Sequence, residues 1–261
     1  MKFNTKLCLI AAGTAAFAAI PSAAMAEGVY VGFGAGVSLP GDSENRGEFN
    51  ATVPGTPDFG AIPAGTPLGW NTGFDTGLAL SGQVGYKFDN GFRLEVEGNF
   101  SQVDVSGHRG FQVGGANIDG VDVAVLTRGA PAAGNPTVGA FGATDTGRVN
   151  TYGLFANVFY DINTGTAIKP YVGAGAGVQW VDVRYQPSDV RISNDTASGF
   201  AYQLMAGATY ELSSRAELFG QYAYRANTER ADIGLDLLPA TLGVESNQSV
   251  LTAGLRLKFG N

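Results

Sequence analysis

The stretch FRLEVEGNF, from Phe92 to Phe100, decides the fold because it carries two different faces. Alternate residues from Phe92 onward are apolar or glycine, and the residues between them are Arg93, Glu95, Glu97 and Asn99. A β-strand directs these two sets to opposite faces. In a soluble sheet the apolar face would lie against a core, and in a membrane barrel it would contact lipid. This stretch alone leaves both arrangements open.

The composition differs from that of a typical soluble domain. The chain has 261 residues, of which 15% are charged, against about 25% in typical soluble domains. Its 39 glycines are close to twice the usual share of about 7%. The formal net charge of -7 argues against a nucleic-acid partner.

The first 26 residues have the pattern of an export signal. Two lysines precede an apolar stretch that is too short for a stable membrane span, and an A-x-A site ends at Ala26. We therefore expect a signal peptide over residues 1–26, cleaved after Ala26, and one barrel domain over residues 27–261. An uncleaved anchor helix is the alternative. The only cysteine, Cys8, lies inside this segment, so no thiol chemistry is expected in the mature chain.

Period-two alternation recurs in eight segments after Ala26. They are residues 29–39, 77–88, 92–100, 152–161, 171–180, 200–211, 215–225 and 251–259. Each is long enough to cross a bilayer at a tilt of about 45°. Tight turns at 89–91, 162–166 and 212–214 alternate with long connections at 40–73, 107–147, 186–197 and 227–247. The sequence therefore predicts an all-β fold: an eight-stranded antiparallel up-and-down transmembrane β-barrel with short periplasmic turns and long extracellular loops.

Aromatic residues on the apolar faces concentrate near both strand ends, whereas a soluble core would not concentrate them there. The set near the short turns is Phe88, Phe92, Tyr160, Tyr210 and Phe259. The set near the long loops is Phe74, Phe100, Tyr152, Trp180, Phe200, Tyr222 and Tyr224. We interpret these sets as the two aromatic girdles of a membrane barrel.

The opposite faces would fill the lumen, because an eight-stranded barrel has room only for its own side chains. The predicted inward cations are Lys87, Arg93, Arg215, Arg225, Arg256 and Lys258, and the predicted inward carboxylates are Asp75, Glu95, Glu97, Asp161, Glu211 and Glu217. Charges in such a confined space should be paired. Inward glycines at positions 32, 34, 36, 173, 175 and 177 would leave room for long side chains from across the lumen.

Five stretches resemble the OmpA-like and opacity-type outer-membrane β-barrels, including bacterial surface-antigen relatives. They are GVYVGFGAGVSL, GYKFDNGFRLEVEGNF, KPYVGAGAGVQW, FAYQLMAGATYELS and SVLTAGLRLKFG. The resemblance implies periplasmic termini and contact with outer-membrane lipid and lipopolysaccharide. It also implies insertion by the barrel-assembly machinery, which reads a terminal aromatic residue; here Phe259 is followed by Gly260 and Asn261. The peptidoglycan-binding domain of the larger relatives is not expected.

The expected function is structural or surface-interaction, through a host-cell or matrix ligand bound by loops 40–73 and 107–147. These loops are rich in glycine and proline and low in charge, and we expect them to be mobile. A narrow porin for small solutes is the alternative. Acidic residues outnumber arginines in the loops, which suits either divalent cations shared with lipopolysaccharide phosphates or plain solubility.

A lipid-modifying enzyme is a third interpretation. Ser106 and His108 have the separation used by a lipid A deacylase of similar size, and Asp104 lies nearby. Catalysis requires such groups on a rigid frame, whereas these residues open a long loop. The sequence therefore predicts no enzyme. One histidine and no mature cysteine also leave only carboxylates as metal ligands, so no metal or cofactor is expected.

Overall fold

The computed structural model describes residues 28–144, 147–185 and 193–259. The expected signal peptide over residues 1–26, with its cleavage site at Ala26, lies outside the described residues, as do the last two residues. Within the described ranges the strands are β1 (Val29–Pro40), β2 (Ser43–Phe49), β3 (Pro67–Phe74), β4 (Gly77–Lys87), β5 (Phe92–Val113), β6 (Ala116–Asn117), β7 (Gly147–Asp161), β8 (Ile168–Tyr185), β9 (Ser193–Ser213), β10 (Ala216–Asn227), β11 (Ala231–Gly234), β12 (Ala240–Val244) and β13 (Asn247–Lys258). The helices there are α1 (Ala124–Thr127) and α2 (Val138–Gly142), and neither has the length and apolarity of a membrane span.

A closed antiparallel ring of eight strands forms the main body. Its order is β1, β4, β5, β7, β8, β9, β10 and β13, and β13 pairs again with β1. On β1, for example, Phe33 lies opposite Gly82 of β4 and Leu255 of β13. A closed ring satisfies every backbone hydrogen bond between strands, which a lipid environment requires. The predicted eight-stranded barrel is confirmed.

The three tight turns lie together at one end of the barrel, as predicted. In the turn between β4 and β5, the Asn90 side chain accepts a hydrogen bond from the backbone N–H of Phe92 at 3.2 Å. The next residue, Gly91, has a φ of 87°, a conformation that a residue without a Cβ adopts most easily. Ser214 and Arg215 join β9 to β10. These short connections are the periplasmic turns.

The two faces of β5 have opposite exposure. Leu94 and Val96 point outward and are 52% and 54% exposed, whereas Arg93 and Glu97 point inward and are 1% and 2% exposed. A protein with exposed aliphatic side chains and a buried, charged interior is built for an apolar solvent. The outward face therefore contacts lipid, and the charged face lines the lumen.

The described residues of the connections 40–73 and 107–147 form strands and short helices, although their composition suggested mobile loops. The upper half of β5 leaves the barrel and pairs with β3, with Thr72 opposite His108, and the sheet continues through β2 and β12 to β11. We call residues 41–74, 105–144 and 228–246 the extracellular cap. Composition was misleading here because the apolar residues of the cap, although few, lie at alternate strand positions.

The cap and the upper rim of the barrel share one apolar core. Its buried members are Phe49, Val53, Leu68, Trp70, Val103, Val105, Phe111, Val138, Phe141, Val149, Val181, Val183, Ile233, Ala240, Leu242 and Val244. Val103, Val149, Val181 and Val183 come from barrel strands. Fully burying one such side chain contributes about 1.5–3 kcal/mol, so this cluster fixes the cap onto the barrel mouth.

Candidate functional site

The lumen of the described barrel holds six cationic and five acidic side chains. The cations are Lys87, Arg93, Lys169, Arg225, Arg256 and Lys258, and the carboxylates are Glu95, Glu97, Asp161, Glu211 and Glu217. Two predictions are wrong, because Arg215 is exposed on the β9–β10 turn and Asp75 is exposed in the β3–β4 connection. Lys169 was missed. The lumen therefore has one positive charge in excess.

At the periplasmic level of the lumen, two cations share one carboxylate. Lys87 Nζ lies 2.7 Å from Asp161 Oδ2, and Arg93 Nε donates to Asp161 Oδ1 at 2.9 Å. The Arg93 guanidinium also lies over two rings, 4.5 Å from the Phe159 centroid and 4.8 Å from the Tyr171 centroid. Cation–π contacts of this kind stabilise a buried guanidinium.

Four more charged side chains from neighbouring strands adjoin this level: Lys169, Glu211, Glu217 and Lys258. Lys258 Nζ lies 3.2 Å from Glu211 Oε1 and 3.6 Å from Glu217 Oε2. Lys169 Nζ lies 3.0 Å from Glu211 Oε2. The ammonium groups therefore bridge carboxylates on adjacent strands, and their side chains remain about a quarter exposed toward the periplasm.

Arg256 lies above this layer inside a cage of aromatic rings. Its guanidinium carbon is 4.3 Å from the centroid of Phe219, 5.4 Å from that of Tyr171 and 5.6 Å from that of Tyr30. Its Nη1 lies 3.5 Å from Glu217 Oε1, so two residues that were predicted to face the lumen form an ion pair between β10 and β13. The Tyr30 hydroxyl donates to Glu95 Oε2 at 2.7 Å.

The middle of the lumen is bridged from wall to wall. Arg225 on β10 pairs with Glu97 on β5, and these strands lie opposite each other in the ring. Arg225 Nε donates to Gln203 Oε1 at 2.7 Å, and Gln203 Nε2 donates to Asn157 Oδ1 at 2.8 Å. Asn157 Nδ2 in turn donates to Glu97 Oε2 at 3.2 Å. All four side chains are buried, so this hydrogen-bond network crosses the barrel.

A second, neutral bridge lies nearer the cap. The Gln248 Oε1 on β13 accepts hydrogen bonds from Ser38 on β1 at 2.7 Å and from Ser101 on β5 at 3.0 Å. Above it the valines of the shared apolar core begin. From the middle of the lumen toward the cap, the charged bridge, the neutral bridge and the apolar cap core therefore lie one above another.

Glycines on the inward face leave space for these long side chains. A Cβ added at Gly32 would lie 2.9 Å from Arg256 Cγ, and one at Gly34 would lie 3.0 Å from Phe219 Cζ. Gly173 faces Phe159, and Gly175 faces Asn157, both on the adjacent strand β7. For Gly36 and Gly177 the nearest neighbours are backbone atoms of the adjacent strands. The predicted reason, room for side chains from across the lumen, is therefore wrong for these four glycines and for Gly32, since Arg256 lies on the adjacent strand β13.

The structure places most of the predicted girdle residues on the lipid face. The ring centroids of Phe92 and Tyr160 are 5.2 Å apart near the short turns, and those of Phe100 and Tyr152 are 5.2 Å apart near the cap. Phe88, Tyr210, Phe200 and Tyr222 are exposed, and Phe259, Trp180 and Tyr224 are half-buried. The prediction that Phe74 belongs to the girdle is wrong, because this side chain packs against the cap core instead of facing lipid. Tyr86, which contacts Phe88 at 4.8 Å, was missed.

The residues named in the enzyme interpretation differ in solvent exposure. Ser106 is exposed, whereas His108 is 2% exposed and its Nδ1 lies 2.8 Å from the Thr72 hydroxyl. Asp104 forms an exposed ion pair with Arg148 at 3.0 Å. Burial lowers the pKa of His108 to about 4, so the imidazole is neutral at physiological pH.

The described outer surface of the cap is acidic because its arginines already have carboxylate or carbonyl partners. Five arginines of the cap and the barrel rim form ion pairs: Arg46 with Glu44, Arg109 with Asp42, Arg148 with Asp104, Arg184 with Asp182, and Arg230 with Glu245. Arg128 donates to the carbonyls of Pro54, Phe59 and Gly60. Carboxylates such as Glu48 and Asp232 remain exposed. Within residues 28–144, 147–185 and 193–259, no three His, Cys, Asp or Glu side chains are grouped as a metal site.

Comparison with known proteins agrees with this architecture. The profile of the family described as surface antigen matches residues 71–253. An outer membrane protein of Gluconacetobacter diazotrophicus is 32% identical over 160 residues, which are 57% of this chain and only 35% of that protein.

Among solved structures, the outer membrane protein OprG from Pseudomonas aeruginosa superposes with a TM-score of 0.54 at 17% identity, covering 90% of this chain and 97% of that one. Neisserial surface protein A superposes with a TM-score of 0.44 at 15% identity, covering 88% of this chain and 97% of that one. The OprG likeness shows a common fold. Because the family profile matches residues 71–253, which include most of the strands, the chain belongs to the surface antigen family of bacterial outer-membrane β-barrel proteins.

Proposed function

We propose that this protein is a closed outer-membrane barrel that presents the extracellular cap as an interaction surface for a host-cell or matrix ligand. The observation that carries the proposal is the cap itself. Its strands share a buried core with the barrel rim, so its outer face is held in one arrangement. A preformed surface binds with a smaller entropic cost than mobile loops.

The filled lumen supports a closed barrel over a narrow porin. The Arg225–Glu97 pair joins opposite walls, and both side chains are 2% exposed. Solute passage would require breaking this pair and the Gln203 hydrogen bonds at the same level. Breaking a buried ion pair is costly.

A non-catalytic role is supported by the arrangement at the upper end of β5. The buried His108 ring is engaged by Thr72 and flanked by the rings of Trp70 and Phe111, whereas the Ser106 side chain is exposed. A nucleophile and its base need hydrogen-bond geometry at an accessible position.

The proposal is tested by changing the outer face of the cap without touching its core. Glu48 and Asp232 are exposed on that face, so we expect the double variant Glu48→Lys, Asp232→Lys to fold normally. Bacteria without other adhesins that display the wild type should bind epithelial cells or matrix-coated wells above an empty-vector strain, and the variant should lose this gain. A matched charge reversal on a periplasmic turn, Asp89→Lys, should leave binding unchanged. Equal binding by the wild type and the empty-vector strain would contradict the proposal.

A further inference from the structure

A cavity of about 630 Å³ opens at the periplasmic end of the barrel, where the three short turns converge. Three lysines line it from different strands: Lys87, Lys169 and Lys258. The turns contribute two asparagines, Asn90 and Asn163. The volume is that of an ordinary small-molecule site.

The unused hydrogen-bonding capacity in this cavity consists mainly of donors. Each lysine ammonium has three N–H donors, and Lys87 and Lys169 each have a single carboxylate partner, Asp161 and Glu211 respectively. The Oδ1 atoms of Asn90 and Asn163 accept from backbone N–H groups at 3.2 and 3.1 Å, which leaves their Nδ2 donors available to the cavity.

The buried carboxylates of the same cavity are occupied. Both oxygens of Asp161 accept from cations, Arg93 on one and Lys87 on the other. Glu217 contacts Arg256 with Oε1 and Lys258 with Oε2. The remaining lining carboxylate is Asp89, which is exposed at the tip of a turn.

We propose that this cavity binds a phosphate-type oxyanion, held by the ammonium groups of Lys87, Lys169 and Lys258 and by the amides of Asn90 and Asn163. An oxyanion supplies only acceptors, which complements a cavity whose free groups are donors, and the positive excess of the lumen favours it. Two sources share this chemistry: free phosphate compounds of the periplasm and the headgroups of inner-leaflet phospholipids. This inference does not depend on the function proposed for the cap.

The test uses the refolded full barrel, labelled with ¹⁵N, in a maltoside detergent that contains no phosphate. Sodium phosphate is titrated against sodium chloride at matched ionic strength, and the amide signals of the turns around Asn90 and Asn163 are followed. We expect a saturable shift with phosphate alone. Lys169→Gln should weaken binding about tenfold, the effect of one charge-assisted hydrogen bond, and the fold should survive because Glu211 keeps Lys258 as a partner.

Asp89→Asn should tighten phosphate binding, since it removes a like charge from the rim. The absence of a saturable response, or an unchanged affinity in Lys169→Gln, would overturn the site. Repeating the titration in phospholipid nanodiscs separates the sources. A lost response identifies a lipid headgroup as the occupant, and a preserved response identifies a free anion.

Discussion

Removing the cation of the wall-to-wall ion pair should destabilise the barrel far more than removing an exposed one. In Arg225→Ala, Glu97 loses its only ion-pair partner in the described lumen while its side chain stays 2% exposed. Hydrogen bonds from Asn99, Asn157 and Gln203 would remain. Removing one partner of a buried ion pair costs about 3–5 kcal/mol of stability. Because these amides still donate to Glu97, we expect a loss near the lower end of that range.

The matched control is Arg148→Ala. Arg148 and Asp104 form an ion pair at 3.0 Å, but the side chains are 50% and 57% exposed, and such pairs contribute about 0–1 kcal/mol. Both variants, refolded into lipid vesicles, would be unfolded in urea and followed by the gel mobility of the folded barrel. The double variant Arg225→Met, Glu97→Met should recover most of the loss, because no unpaired charge remains. Equal losses in Arg225→Ala and Arg148→Ala would refute the account of the lumen.

Two further predictions concern the cap and the lipid face. Burial lowers the pKa of His108 from 6.5 to about 4, so the folded cap binds this proton less tightly than the unfolded chain does. The contribution of neutral His108 to the free energy of unfolding should be fully present above pH 6.5, and the free energy of unfolding should be lower by about 2–3 kcal/mol at pH 4.5. Urea unfolding followed by Trp70 fluorescence in a Trp180→Phe background would show this dependence. His108→Gln should remove it. Leu204 is 55% exposed on the lipid face, so Leu204→Arg should cost about 2–4 kcal/mol in vesicle unfolding, against about 0–1 kcal/mol for Leu212→Arg near the turns; equal costs would contradict the assigned membrane position.

The barrel could be predicted from sequence because strand alternation is a local property. In β5 the two faces of Phe92 to Phe100 differ strongly, and the eight alternating segments together with the aromatic sets at both strand ends then fixed the apolar face as the lipid face. The Glu217–Arg256 pair was also within reach, because these residues lie opposite each other on adjacent strands. The Arg225–Glu97 pair was not, since it joins strands on opposite walls and depends on the stagger of the closed ring.

The errors have local physical causes. Arg215 was assigned inward by extending the alternation of β10 past its end, where the β9–β10 register shifts beside Ala216 and the chain turns. The cap was missed because its strands are short and separated by glycine and proline. Leu68, Trp70 and Thr72 alternate within β3 and were the available signal. Their partners on β2 and β5 are distant in sequence, so only the folded chain reveals the sheet.

Current recording in planar bilayers tests the central claim, a lumen closed by its own side chains. The refolded wild-type barrel should show no stable openings, because the Arg225–Glu97 pair and the Gln248 bridge cross the lumen at separate levels. Arg225→Ala should show brief, cation-preferring openings, since Glu97 is then freed inside the lumen. Large, stable openings of the wild type that change little in Arg225→Ala would contradict the closed barrel and favour a porin.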